Sequence, residues 1–123
     1  MESHYSEIQD AIAELVRINP VPTILIDMTT FTVAVVNPPA LKFLGYSEAE
    51  IVGESVTKFV PVDDIAAVQH SAEEPPPEGE TQWRCVTKDG TILYVKLKYR
   101  ETVYQDRPAR FVVLIESRST PFV

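Results

Sequence analysis

Between Ser3 and Ile18 the apolar residues Tyr5, Ile8, Ile12 and Leu15 recur at intervals of three and four, with Glu7, Gln9, Asp10, Glu14 and Arg17 between them. That spacing predicts an amphipathic helix. Burying each of the four side chains would contribute about 1.5 to 3 kcal/mol as an upper estimate, more than propensity gives a helix this short. The stripe therefore needs a partner surface, either the domain's own sheet or the same helix of a second copy. Asn19-Pro20-Val21-Pro22 ends the helix, because a residue before proline is pushed to extended geometry.

Thr23 to Met28 and Thr32 to Val36 read as two β-strands, rich in branched residues and joined at a polar Thr29-Thr30 turn. Ile24 to Ile26 and Val33 to Val36 are consecutively apolar, the pattern of strands covered on both faces. Two short helices follow. Asn37 is placed to cap the first, Pro38 and Pro39 occupy positions that need no donor, and Gly45 ends it in the left-handed conformation. Ser47 and Glu50 have capping-box spacing for the second, which Gly53 closes. Ser55 to Val60 reads as an irregular turn, and Asp63 as the N-cap of a third helix running to about Glu73, with Ile65, Val68 and Ala72 along one side. Pro75-Pro76-Pro77 stops it in a stiff loop.

The last third is extended. Thr81 to Thr87, Thr91 to about Tyr104 and Ala109 to Ser117 are three strands, with turns at Lys88-Asp89-Gly90 and at Gln105 to Pro108. In the middle strand Leu93, Val95, Leu97 and Tyr99 alternate with Tyr94, Lys96, Lys98 and Arg100, so one face is buried. The chain thus divides into a helix over residues 1–19, an α+β domain over 20–118 and a tail over 119–123.

Composition narrows the function classes. A chain of 123 residues with 45% hydrophobic and 24% charged positions supports one ordinary globular core. The net charge of −7 disfavours docking on nucleic acid or an anionic membrane, and Lys96, Lys98 and Arg100 read as a solvated sheet face. The lone Cys85 excludes an internal disulfide and reads as a buried strand residue. Without a signal peptide or an apolar run long enough to span a bilayer, a cytoplasmic location is expected. Neither His4 nor His70 has a companion at metal-ligand spacing, so no metal site is expected. No phosphate loop, nucleophile elbow or zinc-hydrolase helix is present, and no catalytic residue is assigned.

In order along the chain stand Asn37-Pro38-x-Ala40, Leu44-Gly45-Tyr46-Ser47, Glu50-Ile51-x-Gly53, Val62-Asp63-Asp64 and Lys88-Asp89-Gly90. Together these resemble the PAS domains, from about Pro22 to Glu116. The resemblance implies a five-stranded antiparallel sheet of order 2-1-5-4-3, short helices over one face and a small cavity between. Asn37, Gly45, Gly53, Asp63 and Gly90 are then scaffold residues. It implies a non-enzymatic sensory and dimerisation module that works with an output or partner signalling domain. Glu116-Ser117-Arg118 stands where the family often has aspartate-x-threonine, and Pro121 discourages a following helix.

The cavity wall expected on this basis is Ile24, Ile26, Val35, Leu41, Leu44, Phe59, Ile65, Val68, Trp83, Leu97 and Leu114. It suits a small apolar or flat aromatic ligand, since no Arg or Lys falls on the face assigned to the core. The expected homodimer interface is Tyr5, Ile8, Ile12 and Leu15. No cofactor is assigned, and the alternative is a haem or flavin sensor. Flavin-binding light-oxygen-voltage domains place a cysteine in glycine-x-asparagine-cysteine-arginine, where this chain has Gly53-Glu54-Ser55-Val56-Thr57. Haem-binding relatives use a histidine on the third short helix, where His70 lies on the solvent side by the helical period.

Overall fold

A computed structural model describes residues 2–74 and 79–122, except for the side chains of 2–6, 9 and 79. Helix α1 (Glu2–Ile18) leads through Asn19 to Pro22 into strands β1 (Thr23–Asp27) and β2 (Thr32–Val36). Helices α2 (Pro38–Leu44) and α3 (Glu48–Ile51) follow. Two 3-10 turns, Val56–Phe59 and Val62–Asp64, then deliver the chain to α4 (Ile65–Glu73). Strands β3 (Gly79–Val86), β4 (Ile92–Tyr104) and β5 (Arg107–Arg118) complete one antiparallel sheet of order β2-β1-β5-β4-β3. The proline loop at 75–77 lies outside the described residues.

Both faces of β1 and β2 are covered, as their unbroken apolar runs require. On one face the buried Val33, Val36, Ala40, Leu44, Ile51 and Phe59 pack β2 against the short helices. On the other, Ala13 and Val16 of α1 pack on Leu25, Val35 and Ala109, with Ile12 alongside. Val16 is fully buried, and such a side chain contributes about 1.5 to 3 kcal/mol as an upper estimate. The docking edge of α1 is therefore Ile12, Ala13 and Val16, while Ile8, Leu15 and Ile18 stay exposed.

One irregularity redirects β2. Leu25 pairs with Val35 but Ile26 pairs with Val33, so Ala34 is an extra residue in the ladder. A bulge resets the two-residue alternation. Val33 and Val36 consequently both face the short helices, and Val35 faces α1.

The turns follow local chemistry. Gln105 and Asp106 both have positive φ, 52° and 63°, which makes the β4–β5 connection a tight two-residue turn; Arg107 and Pro108, expected in the turn, already pair with Tyr104 and Val103. Gly45 sits at φ 83° and ends α2, as expected. Gly53, at φ 86°, donates its N–H to Val33 across the sheet edge, and Val52 is the residue that caps α3. Gly90 takes φ 90° in the β3–β4 turn.

Asn37 joins more of this framework than a cap does. Its side-chain oxygen accepts from Ala40 N at 3.0 Å and from Thr23 N at 2.9 Å. Its amide nitrogen donates to the carbonyls of Asn19, at 3.0 Å, and Val21, at 2.7 Å. The residue is fully buried, so α2, the start of β1 and the segment after α1 are held by one carboxamide. Asn37→Ala leaves two buried and two partly buried backbone groups without that partner and should lower the unfolding free energy by about 3 kcal/mol in urea denaturation. A loss under about 1 kcal/mol would mean that the carboxamide is not what holds these elements together.

Candidate ligand cavity

A cavity of about 160 Å³ lies between the helices and the inner sheet face. β1 supplies Ile24 and Ile26, α2 supplies Ala40, Phe43 and Leu44, and the first 3-10 turn supplies Val56 and Phe59. Val68 and Ser71 come from α4; Thr81, Trp83 and Cys85 from β3; Val95, Leu97 and Tyr99 from β4; Arg110, Val112 and Leu114 from β5. Of the residues expected here, Ile24, Ile26, Leu44, Phe59, Val68, Trp83, Leu97 and Leu114 are brought together on the wall.

Three expected residues are not. Val35 pairs with Leu25 and packs under α1 with it, while the bulge at Ala34 turns Val33 to the opposite face. Leu41, one residue past Ala40 on α2, packs beside the Val33–Phe59 cluster outside the cavity. Ile65 begins α4 half-buried, and one helical turn separates it from Val68, the first residue of that helix to reach the wall. The N-cap expected at Asp63 is also corrected. Asp63 lies in the 3-10 turn Val62–Asp64, and Asp64 precedes α4 with its carboxylate turned to Arg84 instead of the helix amides.

The expectation that no basic residue faces the core fails at Arg110. Counting back by twos from Leu114 passes Val112 and reaches Arg110, so the strand period contained the signal. Its Nε donates to Glu101 Oε1 at 2.7 Å and its Nη2 donates to the Ser71 carbonyl at 3.2 Å. The guanidinium lies over Tyr99, 5.1 Å from the ring centroid. Arg84, at the β3 side, pairs with Asp64 through two bonds of 2.9 and 2.8 Å, and that guanidinium holds the Asp64 carboxyl below its usual range. Each cation at the cavity thus has its own carboxylate.

Cys85 is buried on the wall, and burial pushes its thiol up to about 11. The thiolate is the reactive form. At pH 8, labelling by a soluble disulfide reagent should be at least about 100-fold slower than that of an unhindered cysteine. Labelling at the free-thiol rate would contradict the burial.

The β3–β4 turn is fastened to the helices. Lys88 N donates to Leu44 O at 2.9 Å, and Lys88 Nζ donates to Glu50 Oε2 at 2.8 Å. That Lys88 bond, with the Ser47 N–H that completes the capping box, pulls the Glu50 carboxyl down from 4.5 to about 2. A carboxylate depressed in the folded state stabilises above its unfolded value. This contribution should fade as pH falls from about 4.5 to about 2. Carboxyl-carbon NMR should show Glu50 titrating near 2, and Lys88→Met should move the midpoint up toward 4.5. An unchanged midpoint would rule out the lysine as the main cause.

Val56, which stands where the light-oxygen-voltage pattern has its cysteine, lines the cavity. His70 is exposed and lies 3.5 Å from Glu74. Among the described residues no cluster of His, Cys, Asp or Glu could hold a metal ion, and no helix is long and apolar enough to cross a membrane.

A five-stranded antiparallel sheet of this order, with short helices and a small cavity over one face, defines the class of this α+β domain. The family model described as PAS domain matches residues 20–116, and the chain belongs to that family. PAS domains serve as sensor modules of signalling proteins and are typically not enzymes. The fold is similar to that of the PAS domain of an HTR-like protein from Haloarcula marismortui, with a TM-score of 0.71, 20% identity and 95% of each chain covered. It is also similar to a LOV protein from Rhodobacter sphaeroides, with a TM-score of 0.74 and 18% identity over 89% of this chain and 66% of that one. A PAS domain from a two-component sensor histidine kinase gives a TM-score of 0.73 at 14% identity, covering 92% of this chain and 99% of that one. No curated protein matches the chain.

Proposed function

We propose that this PAS domain is a non-enzymatic sensor that takes a small apolar or aromatic ligand in its cavity and passes the occupied state to a homodimer interface on α1. The observation that carries the reading is the double attachment of Asn37. Through Ala40 it anchors α2, whose Ala40, Phe43 and Leu44 line the cavity, and through Asn19 and Val21 it holds the segment that leaves α1. Movement of α2 around a ligand is thereby felt where the helix is anchored. The cavity size suits a single ring, since about 150 Å³ holds benzene. It is well below the roughly 300 to 1,000 Å³ of larger ligand sites.

The dimer surface is the exposed apolar edge of α1, formed by Ile8, Leu15 and Ile18, with Leu15 60% exposed. Ile12, named with this surface from the sequence, contributes to the sheet side instead, and the side chain of Tyr5 lies outside the described residues. A cytoplasmic signalling protein with an output or partner domain is the setting this reading implies.

Sedimentation velocity of the full chain should give a dimer, and the double variant Ile8→Glu, Leu15→Glu should give a folded monomer. A monomeric parent chain would sink the dimer. The second reading, a haem or flavin sensor, draws on the likeness of fold to the LOV protein. An absorption spectrum of freshly purified protein separates the two, because a visible band would favour the bound cofactor.

A further inference from the structure

Arg110 is 7% exposed and lines a cavity whose wall is otherwise mostly apolar. Among the described residues no buried side-chain nitrogen or oxygen lacks a hydrogen-bond partner, so hydrogen bonding does not decide what this wall takes. The Arg110 Nε and Nη2 donors, in the plane of the group, are spent on Glu101 and on the Ser71 carbonyl. A planar guanidinium also has faces, and these stack on aromatic rings. Tyr99, another residue of the wall, already does so, with its ring centroid 5.1 Å from the guanidinium carbon.

The field on this side of the cavity is that of the cation. The Glu101 side chain is 42% exposed, so water screens the carboxylate of the pair more than it screens the buried guanidinium. An aromatic ring carries negative charge on its face and is drawn to a cation set over it, most strongly where water is excluded. Arg84, the other guanidinium on the wall, is the more exposed of the two and the weaker partner for a ring.

We infer that the cavity selects an electron-rich aromatic ring over an aliphatic or electron-poor ring of the same size, with the ring face on the Arg110 guanidinium, and that its ligand needs no hydrogen-bonding group. This deepens the ligand reading above, rests on it and narrows it from apolar to aromatic. A cation over a ring corresponds to roughly 2- to 30-fold in affinity.

Benzene and symmetric trifluorobenzene separate the two sources of affinity on the unmodified full chain. They share one shape and have no dipole, but fluorine withdraws the negative charge from the ring face and adds apolar area. Apolar contact alone therefore makes trifluorobenzene bind at least as tightly as benzene. Amide NMR titrations followed at Ala40, Ser71 and Tyr99 should instead show benzene binding at least about 2-fold tighter. Arg110→Met, checked for its fold in the same spectra, should lose that preference; the comparison on the unmodified chain stands without it. A smaller ratio, a preference for trifluorobenzene, or an unchanged preference in folded Arg110→Met would overturn the role of the cation while leaving the apolar cavity reading intact. Binding of neither probe would overturn the cavity reading and this inference with it.

Discussion

The carboxamide of Asn37 carries the connections on which the rest of the structure depends. A fully buried amide must find partners for its donors and its acceptor, and here all of them are backbone groups of other segments. Its backbone N–H also donates to Thr23 O, at 3.2 Å, and its carbonyl accepts from Leu41 N, at 3.1 Å. Because α2 forms one wall of the cavity and residues 19–21 lead directly out of α1, the residue joins the two sides of the sheet. Ala13, Val16 and Ile12 add apolar contact between α1 and the sheet.

The second constraint is electrical. A cavity of this polarity tolerates two guanidinium groups because each has a carboxylate within hydrogen-bond distance. The pairs also have mechanical roles, since Arg84–Asp64 ties edge strand β3 to the start of α4, and Arg110 links β5 and β4 to the Ser71 carbonyl of the same helix. α4 is thus gripped from two strands, and its position follows theirs.

Much of this was legible in residue patterns. The five motif pieces in register led to the sheet order, and the caps at Asn37 and Ser47 and the glycine at 45 stand where local chemistry puts them. What escaped was nonlocal. The bulge at Ala34 depends on the register of β1 against β2, and it puts Val33 and Val35, two residues apart, on opposite faces. Asp64, not Asp63, directly precedes α4, and its carboxylate is taken by Arg84, twenty residues away, a pairing no capping rule contains. Arg110 was within reach of the strand period, but a charged residue on a buried face is credible only once Glu101 is seen opposite it in the ladder.

The helix stripe shows the same division. Periodicity identified α1 but could not choose its docking edge, because the apolar arc is wide enough for two contacts: Ile12, Ala13 and Val16 meet the sheet, and Ile8, Leu15 and Ile18 remain outward. The central claim is that cavity and helix are coupled through Asn37, and amide hydrogen exchange with and without saturating toluene tests it most directly. The account predicts that ligand slows exchange at Ala40 and Leu41 and, in the same titration, changes it at Thr23 and along the last turns of α1. Protection confined to α2, with residues 12–23 unmoved, would contradict it.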